Sequence, residues 1–293
     1  MAPAGTARAW ESCDGTAVPH LSASRISLYL QCPRKYAFRY VEGVVVPWKS
    51  ANLAFGSAVH GALQTFHEKL MEGQKPTADE IARLFVSDWH AQLVDEIRFK
   101  DGDDANSLRL MGEALVRLYV EGHQDIRVVA VESGFQIPLA DPTTGEVRGP
   151  DLKGFFDLIL AGDTIVELKT SAKAYDQGTL ARHIQLTSYR YAYAQLFKRD
   201  ATLKVTALLK QRKPRVETYE AIRTKEDDAW FVHLAVEANR GIEAGIFPPS
   251  PSFLCGDCEY ADHCRKWRGP ASTDRQPDNR AHQLAAAPAA AAA

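Results

Sequence analysis

Asp157, Glu167 and Lys169 stand in the stretch GFFDLILAGDTIVELKTS, one carboxylate inside an apolar run and a second carboxylate with a lysine inside the next. A charge buried unpaired among Phe, Leu, Ile and Val costs free energy, so residues of this type need a reason to be there. If both runs are strands, Glu167 and Lys169, two residues apart, project from the same face. A turn of three or five residues around Gly162 then sets Asp157 across from Glu167. A two-residue turn would pair Asp157 with Leu168 and send the two carboxylates to opposite faces. The expectation is an odd-length turn. Two carboxylates converging at a sheet edge bind a hard cation such as magnesium or manganese through oxygen. A lysine beside them stabilises charge building on a phosphate and helps place an attacking water. Taken alone, the same residues also suit a surface hairpin with a Glu/Lys pair.

Cysteines form the second constellation. Cys255, Cys258 and Cys264 make a C-x2-C-x5-C run, Cys32 lies far upstream beside Pro33, and Cys13 falls near the start of the chain. Three clustered thiols and a distant fourth can complete four-fold coordination of an iron–sulfur cluster or of zinc, and the spacing does not choose between them. An odd total of five argues against a disulfide framework.

Several elements must position these residues. The segment LSASRISLYLQC reads as a helix start, followed by a basic, aromatic stretch (Arg34, Lys35, Tyr36, Phe38, Arg39, Tyr40) after Pro33. That stretch suits tracking of a single nucleic-acid strand, or equally a solvated basic face over buried rings. Val59, Leu63, Phe66 and Leu70 recur at helical spacing, and Ala78 to Ile97 and Ser107 to Gly122 repeat that period. Strand-like segments follow at Val128 to Leu139, Leu152 to Leu160 and Thr164 to Thr170. Next come a long helix, about Thr179 to Phe197, strands near Leu203 to Leu209 and Val216 to Ile222, and a capped helix from Thr224 to about Gly245. This order predicts a mixed α/β domain, not a regular βαβ alternation.

With 293 residues, 45% hydrophobic and 25% charged, the chain has the composition of a globular protein able to bury an ordinary core. A formal net charge of −2 excludes a histone-like, charge-driven binder without excluding a local basic groove. No apolar run reaches the ~18 residues of a membrane span, and no signal-peptide core is visible, so a cytoplasmic location is expected. Residues 1–20 read as a loose arm, 21–267 as one domain and 268–293, ending in AAAPAAAAA, as a disordered tail. There is no G-x-x-x-x-G-K-[ST] run, so a motor, if one works with this chain, is another protein such as a helicase.

In register along the chain, these motifs resemble the PD-(D/E)XK nucleases, and within them the RecB/AddB-type branch. The resemblance is carried by D-x9-E-x-K itself, by FGSAVHGAL, VESGFQI, QLTSYRYAY and the opening LSASRISLYLQCPRKYAFRYVEG. It implies a restriction-endonuclease-like α/β core, a mixed sheet flanked by helices, with an iron–sulfur staple. His60, Asp157 and Glu167 would be metal ligands, joined by the backbone carbonyl of Leu168. Lys169 would be the catalytic lysine, and Glu132 an additional acidic residue of the active site. Gln185 and Tyr189, spaced i, i+4 on one helix face, would contact DNA. Cys32, Cys255, Cys258 and Cys264 would hold a [4Fe–4S] cluster. The activity implied is a magnesium- or manganese-dependent exonuclease on single-stranded DNA ends in repair or recombination. A CRISPR-adaptation iron–sulfur nuclease and a non-cleaving DNA-binding module of a repair complex are the other readings. One departure from the branch is Glu167, where relatives often carry Asp.

Overall fold

Ser22 opens the first helix, α1 (Ala23–Gln31), by accepting a hydrogen bond from the Arg25 amide on its side chain at 3.2 Å. The computed structural model describes residues 20–100 and 102–268. The chain divides into two units, Met1–Ser250 and Pro251–Ala293. All of the arm but His20, all of the tail but Arg268, and Cys13 lie outside the described residues.

In the first unit, Pro33 restarts the helix as α2 (Pro33–Tyr36), and a π-helical turn, Ala37–Val41, follows. Tyr36 and Phe38 are buried, and Arg34 stacks on Phe38 and pairs with Glu42. In this stretch the reading of a basic face over buried rings prevails, and those two rings are not displayed to a strand. A two-residue strand β1 (Lys49–Ser50) leads into α3 (Ala51–Met71), then come α4 (Ala78–Gln92), β2 (Ile97–Arg98) and α5 (Ala105–Gly122). The parallel pairing of β1 with β2 has no periodicity to announce it.

The sheet follows: β3 (Val128–Ile137), β4 (Leu152–Leu160), β5 (Thr164–Ser171), β6 (Thr202–Leu209) and β7 (Arg215–Ala221), in spatial order β3-β4-β5-β6-β7. Only β5 and β6 are parallel. Parallel neighbours need a crossover, supplied by α6 (Gln177–Ala181) and α7 (Ile184–Phe197). The single helix expected there is broken at Arg182 and His183. Arg223 bonds the α6 carbonyls of Leu180 and Ala181 together with the Thr187 hydroxyl, satisfying the chain ends created by the break. Helix α8 (Lys225–Glu243) closes the unit, and in the second unit a 3-10 turn, Phe253–Asp257, and α9 (Ala261–Lys266) carry Cys255 and Cys264.

The sheet separates two apolar layers. One, with Ile26, Phe156, Leu186, Tyr191 and Phe231, packs α1, α7 and α8 on the sheet, and the other packs α3, α4 and α5 through Phe55, Phe66, Phe85, Trp89 and Val116. This is the expected mixed α/β architecture, a five-stranded sheet flanked by helices. Helix α7 is buried without a break from Leu186 to Tyr193, its Arg190 neutralised by Asp228 and Asp200.

Helices α4 and α5 touch at Gly112, where an added Cβ would collide with the Phe85 ring. Overpacking of this kind costs ~1–3 kcal/mol. Gly112→Ala is therefore expected to lower the urea unfolding midpoint, and an unchanged midpoint would refute the close contact.

Candidate active site

The β4–β5 turn consists of Ala161, Gly162 and Asp163, since Leu160 pairs with Thr164. It has the odd length that the carboxylate pairing requires. Gly162 and Asp163 take positive φ angles of 81° and 52°, tolerated by these residue types. The Asp163 carboxylate is tied to Tyr193 at 2.7 Å and Arg199 at 3.2 Å. Continuing the register beyond Leu158 and Val166 sets Asp157 opposite Glu167, and the β3–β4 register likewise sets Glu132 opposite Asp157. Three carboxylates thus stand in a row across three adjacent strands. The β4–β5 ladder ends at Leu158, and there the Asp157 side chain accepts the Leu168 N–H at 2.9 Å.

Glu167 is fully buried, its carboxylate in ion-pair contact with the Lys169 ammonium and within hydrogen-bond reach of the Tyr189 hydroxyl. Burial, and secondarily the Asp157 charge, push the Glu167 carboxyl above the ordinary carboxylate range against the pull of Lys169. Asp157 is raised by burial as well, offset by the Leu168 amide and Lys169. For Lys169 burial acts downward, but Glu167 outweighs it and the net shift is upward, so the lysine stays cationic. The Lys169 ammonium also donates to Gln185 Oε1 at 3.3 Å. Gln185 donates to the Tyr189 hydroxyl at 2.9 Å, and that hydroxyl donates to Asp157 at 3.3 Å. Tyr189 is 2% exposed with its ring on Phe156. It is a bracket for Asp157 in this structure, not a ring displayed for a base.

His60 comes from α3 on the other side of the sheet. Burial lowers its pKa first and Lys169 second, against upward pulls from Glu167 and the Leu168 backbone. A neutral imidazole beside Glu167 and the Leu168 carbonyl is therefore available. Glu132 adopts a left-handed φ of 44° within β3, a conformation that costs a residue with a Cβ ~1–2 kcal/mol. Burial, then Glu167 and Glu68, raise its carboxyl.

Sequence reasoning overlooked four residues. Glu68 stands two helical turns beyond His60 and acts on Glu132. Tyr175 and His183, 6.1 Å apart by ring centroids, both sense Lys169 and Glu167. Lys153 is discussed below. Only the spacing of His60 and Glu68 left a trace in the sequence.

The donor chemistry suits a divalent hard cation. Two buried carboxylates stand across from one another, and an imidazole whose pKa burial lowers lies within electrostatic reach of Glu167 and the Leu168 backbone. Among the described residues no three His, Cys, Asp or Glu side chains stand close enough to clasp a metal by themselves. Magnesium commonly takes only one or two carboxylates and completes its shell with water and phosphate oxygens. None of Cys32, Cys255, Cys258 and Cys264 forms a disulfide. They sit in different units, Cys32 after α1 and the other three beyond Pro251.

The sequence pattern of the PD-(D/E)XK nuclease superfamily matches residues 20–265. The chain belongs to this superfamily. Membership implies a metal-dependent phosphodiesterase that acts on DNA with divalent ions such as magnesium or manganese. A comparison with curated proteins finds no match. Among solved structures, the chain resembles a "Putative exonuclease" from Eubacterium rectale, with 14% identity, 87% of this chain and 90% of that one covered, and a TM-score of 0.56. At that identity the likeness concerns the fold. SSO0001 aligns at 14% identity over 83% of this nuclease and 93% of its own chain, and its TM-score of 0.34 carries no argument. Among the described residues no helix is long and apolar enough to cross a membrane.

The raised Glu132 carboxyl has a consequence for stability. The folded state holds this proton more tightly than the unfolded chain. Its stabilising contribution is full below the ordinary value of 4.5 and is lost as pH rises through the raised folded value. Glu132→Gln should therefore be more stable than the parent at neutral pH in metal-free buffer, and the two should converge in acid below the ordinary value. Urea midpoints measured across that range check the sign.

Proposed function

We propose that this nuclease is an exonuclease of the RecB type that removes nucleotides from single-stranded DNA ends during repair or recombination. The observation carrying the reading is the buried Glu167 carboxylate, paired with Lys169 and opposite Asp157; burial keeps this carboxyl raised despite the lysine. A surface Glu/Lys pair would leave its carboxylate to water, whereas two carboxylates buried across from one another for a single lysine are a costly arrangement that a cation can offset. The fold-level likeness to a chain described as an exonuclease agrees with the exonucleolytic choice.

In this reading Asp157, Glu167, His60 and the Leu168 carbonyl hold magnesium or manganese. The bound ion supplies Lewis acidity toward the phosphodiester. Lys169, kept charged by Glu167, donates hydrogen bonds to the oxygens on which charge builds. Gln185 fixes the lysine and meets the DNA backbone, while the Tyr189 hydroxyl fixes Asp157. Glu132 orients water at the edge of the carboxylate row. A helicase or another repair protein supplies the strand, in the cytoplasm.

The four cysteines Cys32, Cys255, Cys258 and Cys264 bind a [4Fe–4S] cluster in this proposal, which rests on their order and on the C-x2-C-x5-C spacing in the sequence. The protein purified without oxygen should be brown with broad visible absorption, and Cys258→Ala should lose the colour and the iron. A colourless parent with one zinc per chain would overturn the cluster.

The activity is tested with end-labelled single- and double-stranded DNA and manganese. Loss of one preorganised donor to the developing charge costs ~10²–10³ in rate. Lys169→Ala should accordingly cleave at least a hundredfold more slowly than the parent at a temperature where both are shown to be folded. A parent that binds DNA, contains its metals and never cleaves would make this chain a non-cleaving module.

A further inference from the structure

A pocket of about 330 Å³ opens beside the carboxylate row and shares Asp157, Gln185 and Tyr189 with it. Its other walls are Lys153, Phe135 and Phe155, completed by the first residues of α1, Ser24 among them. The volume lies at the lower end of the ~300–1,000 Å³ that small-ligand sites span. It admits one nucleotide-sized group and is too small for a base pair.

The chemistry of the walls is uneven in an informative way. The Lys153 ammonium makes no ion pair or side-chain hydrogen bond among the described residues, although an acceptor, Asp157, lines the same pocket. Phe155 is 43% exposed there. An added Cβ at Gly154 would stand 2.5 Å from the Phe135 ring, so that ring can sit against this part of β4 only because the residue is Gly. A cation without a partner, an exposed aromatic face and neutral amide and hydroxyl groups together match an anion joined to a flat ring.

We propose that this pocket receives a single unpaired nucleotide adjoining the scissile phosphodiester, with its phosphate on Lys153 and its base on Phe155. The inference rests on the nuclease reading and gives it a structural source of selectivity: a paired nucleotide must leave its partner before it can enter. Base stacking on an aromatic side chain tolerates any base, so selectivity falls on pairing and not on sequence.

The test uses the full-length protein without divalent metal and a dye-labelled single-stranded oligonucleotide, with binding read by fluorescence anisotropy over a series of salt concentrations. Lys153→Glu should weaken binding about tenfold and reduce the slope of log affinity against log salt by about one. Lys153→Arg should retain both. Phe155→Ala should weaken binding about tenfold with the slope unchanged. Cleavage in manganese then separates the two ideas. The parent should cut a single-stranded end faster than a blunt duplex end, and Gly154→Val, which pushes Phe135 into the pocket, should slow the single-stranded reaction. If the parent cleaves but Lys153→Glu binds with parental affinity and slope, the pocket assignment falls and the nuclease stands. If the parent neither binds nor cleaves although folded, both fall together.

Discussion

Everything in this nuclease is arranged around the cost of placing carboxylates in an apolar sheet. Asp157 and Glu167 sit between layers of Phe, Leu, Ile and Val, where an isolated anion is worth several kcal/mol of destabilisation even after relaxation. Each surrounding element answers part of that cost. Strand β5 offers the Leu168 amide and the Lys169 ammonium, α7 offers Tyr189 and Gln185, and α3 brings His60 from the opposite face. At Glu167 burial outweighs these partners, and its carboxyl stays raised.

The backbone takes part in the same solution. Where the β4–β5 ladder stops, a side chain takes over the role of a strand carbonyl, and beside it Glu132 accepts a left-handed conformation within β3. Irregularities concentrated at one line across three strands are characteristic of functional sites, where strain persists because the surrounding structure over-determines it. The pocket beside Asp157 continues this line away from the carboxylates.

Much of this was legible in the sequence, for identifiable reasons. Periodicity located α3, β4 and β5 because apolar residues dominate each of them, and β4 was bounded at the residues that form it. The alternation Glu167-x-Lys169 constrained the turn because a strand has a period of two. The break between α6 and α7 was not legible, since no Gly or Pro marks it. It is held by Arg223, remote in sequence. Nor was Lys153, because a lysine near a strand start reads as solvated and only the pocket shows what it faces. The buried state of Tyr189 was equally hidden, since a Gln-x-x-x-Tyr pair looks the same on a core-facing helix as on an exposed one.

Helix α7 is both the crossover between the two parallel strands and the carrier of Gln185 and Tyr189, and eight consecutive residues of it, Leu186 to Tyr193, are buried. Local opening in proteins draws on elements with few buried contacts, and this helix is the opposite kind. The half of the site that it holds belongs with the parts of a fold that open least readily on their own. The walls from α1 and Phe155, by contrast, border solvent. Exchange of a bound group in such a molecule belongs to the rim, while Gln185 and Tyr189 are anchored on a helix built into the core.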